Sequence, residues 1–236
     1  MTFFRKSWES DISAVYSTGI IFGYIFLIFC PLPQLFSVST GAGSLLYTCA
    51  AGMIFLVFSC LMMHLDRRDA ALEKVIGISL PDKNEIKESC ILLCGLLPAI
   101  WAITWHWKFT MRKLEIPFAD KQDLLGLVDF SNPLQITLLV LMSAVIMPFV
   151  EELVFRRVLY GVLAKSGNFN AAGFITSGIF SAAHGYLAGA PGLFLGGIAF
   201  QWLYSRHRNL GSAIFIHSLF NTVSLMFVII EKTFAV

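Results

Sequence analysis

Seven stretches of this chain are apolar over about the length needed to cross a bilayer, and that single pattern dictates most of what it can fold into. A helix rising ~1.5 Å per residue needs about 20 mostly apolar residues to cross a hydrocarbon core ~30 Å thick. Segments 14–36, 44–65, 89–107, 134–155, 170–187, 192–205 and 211–230 meet or approach that length. The expected fold class is all-α, a polytopic transmembrane helix bundle of about seven spans forming one integral membrane domain over residues 1–236. Within it, 1–133 supply N-terminal spans and loops and 134–230 supply the helices that carry the chemistry. With 57% hydrophobic and 14% charged residues, and a mean hydropathy of +0.74, the chain has too little polar surface for a soluble domain. A net charge of +2, with the bases scattered between apolar runs, leaves no footprint for nucleic acid. The partners to expect are the lipid bilayer and a membrane-associated substrate.

Charges between the spans give the topology. Segment 66–88 mixes Arg67, Arg68, Lys74, Lys83 and Lys87 with acids and contains Pro81, so it reads as an aqueous loop with room for a surface helix. A cytoplasmic N-terminus places twelve of the seventeen Lys and Arg on the inner side, among them Arg5 and Lys6. Lys108, Arg112, Lys113 and Lys121 gather in a second loop, Lys108 to Asn132, on the other side, which leaves space for an eighth, re-entrant or surface helix there. No cleavage site follows Arg5 and Lys6, so the first apolar run is read as an anchor. The short loops and small size point to a bacterial cytoplasmic membrane. Trp101, Trp105 and Trp107 crowd the end of the third span, where indoles favour the headgroup layer. Gly192 with Gly196, and Gly185 with Gly189, have the spacing that lets helix backbones approach. The five cysteines, Cys30, Cys49, Cys60, Cys90 and Cys94, include no CxxC and read as buried small hydrophobes.

Against this apolar background a few polar side chains stand out, because each costs ~2.5–3.5 kcal/mol at the centre of an inserted helix. Glu151 and Glu152 lie inside the fourth span with Arg156 one turn on; His184 lies in the fifth; His217 and Asn221 lie in the seventh. Residues four apart share a helix face, whereas adjacent ones diverge by ~100°. Glu152 therefore pairs with Arg156, and Glu151 points elsewhere without a partner on its own helix, free to act as a base. His217 and Asn221 present two hydrogen-bonding groups to one spot, and Phe180 packs one turn before His184. Each residue alone has an ordinary structural explanation, such as an interhelical hydrogen bond or a buried strut. Together, on three helices, they form a constellation that points to a site.

At these residues the sequence resembles the CAAX prenyl protease and bacteriocin-processing family of glutamic intramembrane endopeptidases. Its EExxxR motif matches Glu151, Glu152 and Arg156; its FxxxH matches Phe180 and His184; its HxxxN matches His217 and Asn221. The resemblance covers about residues 140–225 and implies peptide hydrolysis without a cofactor. It implies that Glu151 and His184 activate a water, that His217 and Asn221 stabilise the oxyanion, and that Glu152, Arg156 and Phe180 support them. The substrate would be a membrane protein or peptide: a prenylated C-terminus, a leader, a sorting tail or a bacteriocin precursor. Such a reaction needs a water-accessible cavity among spans four to seven.

Three other functions fit parts of the pattern. A zinc protease would use one Glu and two His around an open position, although no HExxH is present. A transporter or proton relay would also place Glu, His and Arg in the membrane. A catalytically silent immunity or scaffold protein of the same fold would keep the motifs without turnover. One register conflict remains: His184 lies ~20 Å into its span, deeper than Glu151 and His217 in the spans as drawn.

Overall fold

A computed structural model of the chain describes residues 13–29, 41–66, 76–118, 125 and 128–234. Among these, seven helices and no strands occur: α1 Ala14–Phe29, α2 Gly41–Asp66, α3 Lys83–Lys113, α4 spanning Pro133–Ser166, α5 Phe169–Ala183, α6 Ala190–His207 and α7 Leu210–Phe234. By length and composition five are able to cross a membrane, namely Gly43–Asp66, Lys83–Lys113, Pro133–Ser166, Leu187–His207 and Leu210–Lys232. The first and fifth apolar helices are shorter, Val15–Ile25 and Phe169–Ala183.

Helix starts follow from local chemistry. Asp82 caps α3 in a reciprocal box: its carboxylate accepts from the Asn84 and Glu85 amides, and Glu85 accepts from the Asp82 amide at 2.6 Å. Asn132 caps α4 with Pro133 behind it, where the missing N–H costs nothing. Asn168 caps α5 after Gly167, whose φ of +84° turns the chain out of α4. Because of the Asp82 box, α3 starts before the predicted 89 and runs on to Lys113, so the inner ends of both predicted loops are helical. Residues 67–75, the basic N-terminus, Cys30 and, in the loop predicted to leave space for an eighth helix, residues 119–124, 126 and 127 lie outside the described residues.

The bundle is arranged around α4. About 67% of its apolar stretch is buried inside the protein, against 17% for α3, 22% for α7 and 28% for α2, whose remaining surface is left for lipid. Helices α1, α2, α5 and α7 pack directly on α4, and α6 is held between α3, α5 and α7. The close approach of α6 to α3 depends on Gly192: a Cβ there would lie 2.6 Å from Thr104 Oγ1 and 2.9 Å from Ile100 Cγ2. Gly196 has only ordinary contacts, and Gly185 serves a turn at φ +60° with nothing within 4 Å, so the predicted Gly185–Gly189 packing pair does not form between helices. Cys90 and Cys94 are exposed on α3 rather than buried; Cys49 is buried and Cys60 half-buried. Trp101 and Trp105 are exposed as a membrane belt requires, but Trp107 donates its indole N–H to the Leu187 carbonyl at 2.9 Å and ties α3 to the start of α6.

Helix α4 is not a regular α-helix. Two π-helical stretches, Met142–Ile146 and Leu153–Leu159, flank a single α-helical turn, Met147–Glu152, that carries both glutamates. The first lies just ahead of Pro148, whose ring would clash with the carbonyl four residues back in a regular helix. Wide turns of this kind are rare and concentrate at functional sites.

Candidate active site

The length of α4 resolves the register conflict. Glu151 lies 15 residues before the end of α4 at Ser166, and His184 lies 15 residues after the start of α5 at Phe169. Across the short turn between them, both therefore sit ~22 Å from the same side. The fourth helix extends eleven residues past its predicted end at 155. Helix α7 starts below the surface, with Asn209, Leu210 and Gly211 all buried, which brings His217 to that level.

Glu152 and Arg156, both fully buried, form the predicted pair: Arg156 Nε lies 3.0 Å from Glu152 Oε2. The N–H is not aligned on the oxygen, so this is an ion pair rather than a hydrogen bond. The guanidinium lies over the face of Phe180 at 4.9 Å, with Phe200 at 5.9 Å and Phe155 at 6.0 Å from its carbon. Aromatic faces take the place of polar neighbours around the cation. Glu152 does more than neutralise Arg156, because its Oε1 lies 2.8 Å from His217 Nδ1 across the helix interface. His217 is further fixed by stacking on Phe200, ring centroids 4.6 Å apart and planes 22° apart. Neither the Glu152 bond nor the Phe200 stack is visible in the sequence.

His184 is held in the same manner. Its ring packs edge-on against Phe180, centroids 4.7 Å apart, as predicted, and Nδ1 lies 2.8 Å from the Phe180 carbonyl oxygen. A carbonyl oxygen can only accept, so His184 Nδ1 carries the proton. The same holds at His217 when Glu152 is ionised opposite Arg156. In both imidazoles the remaining nitrogen, Nε2, faces Glu151: the His217 Nε2 is 3.7 Å and the His184 Nε2 3.9 Å from Glu151 Oε2. These separations are too long for direct hydrogen bonds and short enough for one water to reach both an imidazole and the carboxylate. In its singly protonated form each Nε2 is an acceptor, as is ionised Glu151, so the three converge as sinks for protons.

Asn221 lies on the same face of α7 as His217, as the spacing predicts, and donates from Nδ2 to the Ser143 carbonyl at 2.8 Å. That contact fixes which end of the amide faces α4 and occupies one of its two N–H bonds. Ser143 itself bonds through its hydroxyl to the Leu139 carbonyl. Glu151, His184, His217 and Asn221 all line a cavity of about 490 Å³. Its α7 wall runs from His217 to Val228, ~16 Å along the helix toward its C-terminus, and no α7 residue before His217 contributes. Thr48 of α2, Ile100 and Thr104 of α3, and Leu125 also line it, so the cavity extends beyond the α4–α7 set expected from sequence.

Residues 133–223 match the family model described as Type II CAAX prenyl endopeptidase Rce1-like. The chain is also similar to "Putative membrane peptidase YdiL" of Bacillus subtilis (strain 168), with 34% identity over 87 residues. That match covers 37% of this chain and 36% of the relative, so the chain spans little more than a third of the relative's length in the comparison. No solved structure matches the chain. The matched segment contains every glutamate, histidine, arginine and asparagine of the cluster, including the buried His–Glu pairs. Thr48, Ile100 and Thr104 come from helices outside it, so the cavity is shared between the matched and unmatched parts of the chain.

Proposed function

We propose that this protein is an intramembrane endopeptidase that hydrolyses a peptide bond of a membrane-associated protein or peptide with a water activated by Glu151. The observation that carries the reading is the placement of Glu151 Oε2 between two imidazole nitrogens, 3.7 Å and 3.9 Å away, on the wall of a cavity. A water donating one O–H to Glu151 and the other to His184 Nε2 keeps its lone pairs for attack on a carbonyl carbon. Glu151 takes the water proton as the C–O bond forms, and the carbonyl oxygen becomes an oxyanion. The second Nδ2–H of Asn221 faces that oxygen, joined by His217 when its ring carries both protons; such donors are typically worth ~3 kcal/mol each in the transition state. Glu151 then returns its proton to the amine as the C–N bond breaks.

Glu152, Arg156 and Phe180 hold the two imidazoles in register and touch no reacting atom. The fitting substrates are chains that reach the cavity from the bilayer: a prenylated C-terminus, a leader or a sorting tail.

The test uses purified protein in nanodiscs, incubated with bacterial membranes and with a farnesylated C-terminal reporter peptide, with new chain termini identified by mass spectrometry. Glu151→Gln is expected to lower the rate of termini formation by about 10²–10⁴, the usual share of a general base. A Glu151→Gln protein that cuts at the wild-type rate removes the proposal. Activity lost to a chelator and restored by zinc replaces it with a metal mechanism.

A further inference from the structure

The oxyanion role proposed for Asn221 depends on where its amide points, and that orientation originates in α4. In a helix a carbonyl oxygen is served by the N–H four residues on, or five residues on where the helix widens to π. For Ser143 those two positions are Met147 and Pro148. Met147 N–H is engaged with the Met142 carbonyl in the π register, and Pro148 has no N–H to give. Neither position serves the Ser143 carbonyl, and Asn221 Nδ2 donates to it from α7 at 2.8 Å.

We propose that Pro148 is a positioning residue of the site: by withholding an N–H it reserves the Ser143 carbonyl for Asn221 and so aims the remaining Asn221 N–H into the cavity. The inference rests on the peptidase reading for its kinetic consequence, though not for the hydrogen bond itself. The reservation is specific to this register. Ser143 lies within the wide turn, is half-buried and lines the cavity, with its carbonyl within reach of α7. In the same wide register an alanine at 148 would supply an N–H to the Ser143 carbonyl, five residues back, and draw it into the backbone ladder. Buried carbonyls rarely remain without a donor, so the asparagine and the proline answer the same vacancy in the ladder. The same proline lies three residues before Glu151, on the helix that carries the proposed base.

Pro148→Ala separates this role from a general helix effect, because alanine is the better helix former and is not expected to impair folding. Its expected effect is a fall of about tenfold in kcat with little change in KM, less than the ~10²–10³ that removing an oxyanion donor outright costs. In an Asn221→Ala background the same substitution is expected to cause no further loss, since the group it misdirects is gone. Incorporating lactic acid at 148, which replaces the N–H by an ester oxygen without the proline ring, is expected to restore the wild-type kcat. A readout independent of catalysis is the Asn221 side-chain amide resonance in protein labelled with 15N-asparagine. It is expected to move in Pro148→Ala and to stay in place with the lactate. Equal losses from Pro148→Ala with and without Asn221, or an unmoved amide resonance, overturn the proposal. If instead no hydrolysis is found in any variant, the resonance alone decides it, and the peptidase reading fails separately.

Discussion

Glu152→Gln isolates what the buried charge pair contributes. Glu152 and Arg156 are both fully excluded from solvent, 3.0 Å apart, and the guanidinium is otherwise surrounded by Phe155, Phe180 and Phe200. Neutralising the carboxylate leaves an uncompensated cation in that shell, and breaking a buried pair from one side costs about 3–5 kcal/mol. At about 2–4 °C per kcal/mol for a chain of this size, the melting temperature falls by about 6–20 °C. Replacing both partners behaves differently. In Glu152→Gln with Arg156→Met no charge is stranded, and the thioether can pack on the rings that the guanidinium faced. The double variant is expected to recover most of the lost stability while hydrolysis stays impaired, because His217 has lost its anionic anchor at Nδ1. Intrinsic fluorescence during thermal unfolding in detergent measures all three proteins. A single variant within about 2 °C of wild type, or a double variant no more stable than the single, would show that the pair is not an isolated low-dielectric contact.

Two further outcomes follow from packing and hydrogen bonding. Gly192→Ala is expected to destabilise by about 1–3 kcal/mol, since its Cβ meets Thr104 and Ile100, both stiff at χ1 and unable to rotate aside; Gly196→Ala, with contacts of 3.6 Å or more, should be close to neutral. Equal melting temperatures for the two variants would contradict the close α3–α6 approach. Asn209 accepts from the Ser79 and Gly211 amides and donates to the Glu85 carboxylate, which the Asp82 amide also serves, so Asn209→Ala leaves the buried Gly211 amide without its acceptor and is expected to cost about 1–3 kcal/mol. Faster hydrogen exchange at the Ser79 and Gly211 amides reports the same loss, and unchanged exchange would contradict it.

The positions of the helices were legible because their cause is local. Apolar length marks a span, and Asn132, Pro133 and Asn168 mark where helices begin, whatever surrounds them. The divergence of the adjacent glutamates was legible for the same reason: the 100° step of a helix sends Glu152 to Arg156 and Glu151 away. Glycine packing was legible only in part. Gly192 meets its neighbour as the spacing implies, whereas Gly185 supports a turn that the same spacing cannot distinguish. The end of α4 was misplaced because Arg156, Arg157 and Lys165 look like the edge of a membrane when read along the chain. Arg156 and Arg157 are in fact buried, and Arg156 is neutralised and covered by aromatic rings from other helices.

Sequence by itself determined which side chains are too polar for their surroundings, since hydropathy and helical period are properties of a single segment. Only the tertiary structure decided what those side chains do to one another. The contact of Glu152 with His217 joins residues 65 positions apart, and that of Asn221 with the Ser143 carbonyl joins residues 78 apart. No helical period encodes such distances; they are set by how deeply α7 is buried against α4 and by a wide turn ahead of Pro148. Both depend on the packing of the whole bundle, which is why the members of the cluster were readable and its wiring was not.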